Sequence, residues 1–315
     1  DKLDAVATSG SVAGDAAADY PFAQELAFTF KLAQTLKARR EVVRGKPENF
    51  NRPDYNFKLD GNHGGEPQGD ERVSITTRQR GAPLDLIVAE AMILANSTWG
   101  GWLAEHGVPG VYRSQASLAP GIKVRMGIKP QPHAGMGVAQ YAWSTSPLRR
   151  YVDLVNQWQI IACARHGRTA ALAAPFKPKD AMLFSIVSSF DAAYSAYGDF
   201  QHGIERYWTI QYLAQQQISE LDAVVMKDGL VRADNLPLVF KALGCEPLPR
   251  GAHVRVRITG TDALTLDVHA NLLARLDEQA ASIPAEEDDS EAVDAAPLAL
   301  AIDLNEPEVA APTTS

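Results

Sequence analysis

PHAGMGVAQYAWSTSPLRRYVDLVNQWQIIACARHG, residues 132–167, begins as loop or strand and becomes a helix part-way along. The change is expected at Pro147. Ser146 is a good N-cap residue, and proline suits the first helical position, where a missing N–H costs nothing. A helix starting there presents several unsatisfied backbone donors, an end that attracts anions. Two arginines in that first turn, Arg149 and Arg150, oppose the positive end of the helix macrodipole. Their presence asks for an anionic partner, and a phosphodiester suits an arginine fork. Arg149, Asp153, Asn156 and Gln157 recur at i, i+4, i+7 and i+8, so they are expected on one polar face. Leu148, Tyr151, Val155, Trp158 and Ala162 are expected on the opposite, core-facing stripe. Asp153 would then hold Arg149 or Arg150 in place. Spacing by itself leaves two readings open: a phosphate site, or a solvated ion pair worth roughly a few tenths of a kcal/mol.

Outward from this stretch the periodicity gives an α+β chain. Residues 22–45 carry Phe22, Leu26, Phe30, Leu32 and Leu36 close to helical spacing and end at Gly45 after a basic turn, which predicts a helix of about five turns. Residues 48–80 alternate strand-like pieces around Gly64 and Gly65. A second helix is expected over 84–105, with Ile87, Met92, Leu94, Ala95, Trp99 and Leu103 on one face and Gly107 as its stop. Residues 180–217 predict one or two more helices. Near Ile218 the period changes from 3.6 to 2. The runs at 222–234, 236–243, 252–260 and 263–276, separated by Gly, Pro and Asp turns, predict a small β-barrel.

The formal charge of the 315 residues is -8, but eleven carboxylates and no Lys or Arg fall from Asp277 onward, which leaves +3 on residues 1–276. That mildly basic body permits phosphate binding without requiring it. The acidic remainder is rich in Ala and Pro and is expected to stay mobile, because it cannot offset its ordering entropy. Residues 1–19 are small and polar and read as a linker or a severed edge. A start on Asp1, with no signal-peptide pattern, reads as processed or truncated. No window approaches eighteen apolar residues, so no bilayer-spanning helix is expected. Cys163 and Cys245 stand alone in apolar surroundings, as buried small hydrophobes in a reduced, cytoplasmic protein would.

The string TSPLRRYVDLVNQ, preceded by His133 and Tyr141, resembles the signature of ribonuclease II family (RNB-type) 3′-to-5′ exoribonucleases. The matching positions are His133, Tyr141, Thr145, Ser146, Pro147, Arg149, Arg150, Tyr151, Asp153 and Gln157. RPDYNF at 52–57 and IVAEAMILAN at 87–96 extend the likeness over roughly residues 20–216. The resemblance implies the C-terminal half of an RNB catalytic domain, with helices packed on a mixed β-sheet. An OB-type RNA-binding barrel over 217–276 and a disordered tail over 277–315 would follow. It implies that Arg149 clamps the phosphate beside the scissile one, with Arg150 and Asp153 as its support. Phe50 stands where the family places an aromatic that stacks on the 3′-terminal base, an alternative to an ordinary core Phe. Glu90 remains of a carboxylate pair, one member of which contacts the terminal ribose in the family; Ala89 replaces the first, which puts discrimination of RNA from DNA in question. Glu205 is a candidate for the late carboxylate of the module, although alignment on Trp208 would place His202 there, and a surface helix residue is the plain alternative.

The family's chemistry is metal-assisted hydrolysis, with Asp residues holding Mg ions. That cluster would lie before residue 1, since no metal ligands are expected within this chain. The run EEDDSE at 286–291 reads as solvated tail, and the other six histidines, His63, His106, His166, His202, His253 and His269, have no ligand spacing. The resemblance therefore implies a fragment of a Mg-dependent, sequence-independent exoribonuclease. Its substrate would be single-stranded RNA, its products nucleoside 5′-monophosphates, and its setting away from any membrane. A non-catalytic RNA-binding protein on the same scaffold is the alternative, and a protein-interaction module using the acidic tail is a third. In the barrel, Lys227, Arg232, Lys241, Arg250, Arg255 and Arg257 are expected to grip the strand rather than do chemistry.

Overall fold

The computed structural model describes Asp4, Ala7, Thr8 and residues 22–48, 54–61, 66–67, 69, 71–78, 81–119 and 122–277. Phe50 and the acidic stretch beyond residue 277 lie outside these. The chain divides into two compact units. The first comprises Asp1–Asn51, Arg80–Tyr194 and Glu291–Ser315; the second comprises Arg52–Gln79 and Ser195–Ser290.

In the first unit, helix α1 spans Ala23–Arg44 and stops at Gly45, whose φ of 80° and N–H to the Glu41 carbonyl form a left-handed cap. Its expected apolar stripe is not its anchor: Phe22 and Leu32 are exposed, and only Ala33 and Arg40 are buried. Helix α2, Pro83–Glu105, opens with proline in its first turn, and its buried residues Glu90, Ile93, Asn96, Gly100 and Leu103 recur every three or four positions. A short antiparallel pair follows, β3 (Tyr112–Ser114) with β4 (Arg125–Gly127). Helix α3 is Tyr151–His166, and a one-turn helix α4, Ala170–Ala173, comes after it. The core gathers Ile93, Val111, Met136, Tyr141, Trp143, Val152, Val155 and Phe176 with Leu183 and Val187 from the next helix. Cys163 is free and buried, as its apolar context predicted.

Helix α5, Ala181–Gln215, is a single 35-residue helix, not two. Its residues from Ser195 onward belong to the second unit. There β1 (Asp54–Asp60) pairs antiparallel with β2 (Arg72–Arg78) in full register. The sheet expected outside the barrel is thus replaced, among the described residues, by two separate two-stranded ladders.

The period-2 runs form β5 (Glu220–Val225), β6 (Leu230–Ala233), β7 (Val239–Leu243), β8 (His253–Asp262) and β9 (Asp267–Arg275). They close into a barrel in the order β5-β6-β7-β9-β8, with β7–β9 parallel and the other pairs antiparallel, as in an OB-type fold. Inward residues alternate with outward ones: Ala223 and Val225, Val231 and Ala233, Phe240 and Ala242, Val254 and Val256, Val268 and Ala270. Ile210 and Leu213 of α5 join that core, and Arg206 donates to the carbonyls of Leu266 and Val239 at 2.6 Å each.

Candidate nucleic-acid interface

The helix expected from Pro147 begins four residues later. Residues 147–149 form a turn closed by the N–H groups of Arg149 and Arg150 on the Ser146 carbonyl, at 3.3 and 3.0 Å. Ser146 is therefore not the N-cap. Arg150 takes that position in an extended conformation, φ -122° and ψ 115°, and no side chain caps the helix. The reason lies in Asp153. Its Oδ1 accepts the Ser146 N–H at 2.9 Å and Arg150 Nη2 at 2.9 Å, and its Oδ2 accepts Arg150 Nε at 2.9 Å. One fully buried carboxylate thus fixes the turn and neutralises a buried guanidinium, a geometry that can offset the desolvation of both charges. A carboxylate in the first turn also suits the helix dipole.

Asp153 is the support for Arg150, then, and Arg149 is held separately. Arg149 is half-buried, with Nη2 on Ser146 Oγ at 3.4 Å. Arg150 and Arg113 each place their guanidinium carbon 4.0 Å from the ring centroid of Trp143. Trp143 thus carries two buried guanidinium groups, of which that of Arg150 is neutralised by Asp153.

The expected division of α3 into faces is corrected. Val155 and Ala162 are buried as predicted, but so are Asp153, Asn156 and Gln159, while Leu148, Tyr151 and Trp158 are exposed. The polar face points inward because it supplies hydrogen bonds to irregular backbone. Asn156 Oδ1 accepts the Val111 N–H at 2.7 Å, and its Nδ2 donates to the carbonyls of Val111 and Trp143 at 2.8 and 2.7 Å. Gln159 does the same for Pro109 and Phe176, and Gln157 donates to the Ser144 carbonyl at 2.8 Å. Buried backbone outside helices and ladders must find such partners. From α2, Asn96 accepts the Ser144 N–H at 2.9 Å and donates to Tyr141 Oη at 3.2 Å and Thr145 Oγ1 at 3.4 Å. Asn156 is expected from sequence only as part of a polar face, and Asn96 and Gln159 carry no role there. The available signal was a polar side chain at a core-facing helical position.

His133 and Tyr141 stand together inside the protein, rings edge to face at 5.8 Å and 76°. Tyr141 is fully buried, and burial raises its hydroxyl to about 12. Burial, with Arg113 nearby, pushes the His133 imidazole down to about 3, so it is neutral near pH 7. Its Nδ1 accepts the Met136 N–H at 3.3 Å, and its backbone closes the 133–138 turn. Both residues are interior, and neither is exposed at the surface.

Glu90 is also interior. It accepts from Arg40 through both carboxylate oxygens, and Arg40 further reaches Glu48 at 3.0 Å and the Met136 carbonyl at 2.7 Å. Burial opposes the Arg40 charge, yet the two carboxylates raise its pKa above the ordinary value. This triad fastens α1 to α2, so Glu90 is committed to a cation of its own chain. Glu205 lies in the second unit on α5, half-exposed, and accepts Gln201 Nε2 at 3.2 Å. In the barrel, Arg255 forms a two-point pair with Asp222 at 2.7 and 2.9 Å, and Arg257 meets Glu220 at 2.8 Å. These two arginines of the expected gripping set are thereby balanced by cross-strand carboxylates.

The first unit thus carries a guanidinium-bearing turn fixed by a buried Arg–Asp pair, and the second carries a closed OB-type barrel. The RNB domain model matches residues 122–166, so the resemblance read from the RRYVD string is borne out. The chain is 29% identical over 225 residues to an uncharacterized ribonuclease of Synechocystis, covering 61% of this chain and 32% of that protein. It is 29% identical over 160 residues to the mitochondrial exoribonuclease II of Saccharomyces cerevisiae, covering 41% of this chain and 16% of that one. The chain thus spans a third or less of these relatives. Among solved structures it resembles an active-site mutant of the Dss1 exoribonuclease of Candida glabrata, with TM-score 0.63, 20% identity, and 87% and 38% of the two chains covered. Mycoplasma genitalium RNase R bound to ribose-methylated single-stranded RNA gives TM-score 0.65 at 12% identity, with 86% and 53% covered. At these identities the likeness is one of fold.

Proposed function

We propose that this chain is the RNA-holding, C-terminal part of a Mg-dependent, sequence-independent 3′-to-5′ exoribonuclease that hydrolyses single-stranded RNA to nucleoside 5′-monophosphates. One observation carries the reading: Asp153 is committed to Arg150 and the Ser146 amide, which fixes the turn that presents Arg149. A positioned arginine suits a phosphodiester. The fold shared with RNase R, whose structures include RNA complexes, supports the same substrate class. Among the described residues no group of three or more His, Cys, Asp or Glu could hold a metal ion. The described residues therefore do not fit Mg, and its ligands would lie outside them. Two free, buried cysteines suit a cytoplasmic setting. No described helix is long and apolar enough to cross a membrane.

Fluorescence-anisotropy titration of a labelled oligo(A) RNA tests the RNA-holding role. Arg149→Ala should weaken binding about tenfold and reduce the salt slope by about one phosphate contact, with an unchanged melting temperature. Equal affinity in the two proteins would sink the role given to Arg149. Hydrolysis is tested separately in the longest form of the protein, with and without Mg. RNA binding without release of monophosphates would favour the non-catalytic RNA-binding alternative.

A further inference from the structure

A cleft of about 510 Å³ opens beside α2, away in sequence from the 145–153 turn, and is lined by Thr98, Trp99, Gly101, Trp102, Glu105 and Gln140. Trp99, Trp102 and Glu105 follow one another at intervals of three, so they track one face of the helix. Both indoles are half-buried and the carboxylate is exposed. Gly101 makes room for the opposite wall: a Cβ there would stand 2.6 Å from Gln140 Nε2. That nitrogen donates to the Ser97 carbonyl at 3.1 Å, which fixes the amide and leaves Gln140 Oε1 as an acceptor. His106, the C-cap residue next to Glu105, turns back on the helix backbone, with Nδ1 donating to the Trp102 carbonyl at 2.9 Å and its ring nearly perpendicular to that of Trp102. The cleft therefore offers two indoles, a carboxylate, an amide oxygen and a hydroxyl, and no lining side chain is a cation.

We propose that this cleft binds a guanidinium group. Indole faces attract cations, and a carboxylate in the same wall adds charge complementarity. Of the organic cations, guanidinium is planar and weakly hydrated, stacks on aromatic faces, and carries enough N–H donors to serve the Glu105 and Gln140 oxygens together. A phosphate backbone would meet the Glu105 charge unfavourably, and an apolar occupant would desolvate that carboxylate without a partner. The guanidinium comes from an arginine side chain of a polypeptide or from a small free guanidinium compound. The site is independent of the RNA-holding role of Arg149.

The test is an NMR titration of the full chain, following the indole N–H resonances of Trp99 and Trp102. The probes are acetyl-Gly-Arg-Gly-amide, the same tripeptide with neutral citrulline in place of arginine, and methylguanidine. The arginine peptide should shift both resonances saturably, the citrulline peptide should bind at least tenfold more weakly, and Glu105→Gln, a change at an exposed position, should weaken the arginine peptide to a similar degree. Saturation by methylguanidine as well identifies the bare group as sufficient; saturation by the peptide alone assigns the site to polypeptides. Equal binding of the citrulline peptide, no effect of Glu105→Gln, or displacement of the indole resonances by oligo(U) RNA instead would overturn the assignment.

Discussion

Asn156 pairs with Val111 as a neighbouring strand would: its side-chain oxygen accepts the Val111 N–H at 2.7 Å and its amide nitrogen donates to the Val111 carbonyl at 2.8 Å. The same nitrogen reaches the Trp143 carbonyl at 2.7 Å, so one side chain joins the segment entering β3 to the segment entering the 145–149 turn. Replacing Asn156 with Ala would leave three buried backbone groups without this partner, at a cost of roughly 2–4 kcal/mol. Urea unfolding should show that loss. Gln157→Ala, which removes one half-buried bond, should cost roughly 1 kcal/mol or less. Equal effects of the two substitutions would contradict the bridging role.

The Arg150–Asp153 pair gives a second prediction. Asp153→Ala strands a guanidinium that is 3% exposed and should destabilise by about 3–5 kcal/mol. The double substitution Arg150→Met with Asp153→Leu removes both charges and should recover part of that loss, less the bond to the Ser146 amide. Chemical denaturation of the single and double variants checks this. A double variant no more stable than Asp153→Ala would argue that the pair acts through something other than mutual neutralisation.

Stability should also depend on pH through His133. Its folded pKa, about 3, lies far below the ordinary value near 6.5 for an exposed imidazole. The unfolded chain therefore binds a proton in a range where the folded one does not. No stability is lost above pH 6.5; it falls as pH drops toward 3, by up to roughly 4 kcal/mol from this group. Urea midpoints measured between pH 7.5 and 5 should decline, and His133→Gln should flatten that decline whatever its own stability. An unchanged slope in the variant would assign the pH dependence elsewhere.

Two glycines should respond to alanine with opposite signs. Gly137 has φ +64°, and a Cβ there would run into the Arg40 carbonyl oxygen, so Gly137→Ala must either strain the 133–138 turn or push α1 away. A loss of roughly 2 kcal/mol or more follows. Gly198 sits in the interior of α5 with nothing within 4 Å of an added Cβ, and Gly198→Ala should stabilise by about 0.5–1 kcal/mol. Thermal melts of the pair would read both signs in one experiment.

The barrel offers an electrostatic test of how its surface meets RNA. Glu220→Gln with Asp222→Asn unmasks Arg257 and Arg255 on the outer face of β5 and β8. Affinity for oligo(A) RNA at low salt should rise, and its salt dependence should steepen by up to about two phosphate contacts. An unaltered salt slope would place the RNA path away from this face.

Local pattern was enough for much of the architecture. The presence of α1 with its Gly45 stop, the run of α2 to Glu105, and a barrel of short strands follow from periods of 3.6 and 2 and from turn residues, which act within a few positions of one another; α1 is a turn longer than expected, and the run at 222–234 divides into two strands. The RRYVD string likewise marked its stretch as the place of interest, because residue identity and spacing are properties of the chain alone. The start and facing of α3 were not legible. Which side of a helix turns inward depends on what it meets, and α3 meets irregular backbone at 109–111, 143–146 and 176, whose N–H and C=O groups demand Asn and Gln more than Leu or Trp. The partner of Glu90 was hidden for the same reason: Arg40 lies fifty residues away and is brought to it only by the packing of two helices. Sequence by itself determined most of the elements and the family likeness of the site; tertiary structure decided which charges were already paired, because a buried carboxylate pairs with whichever cation the fold delivers.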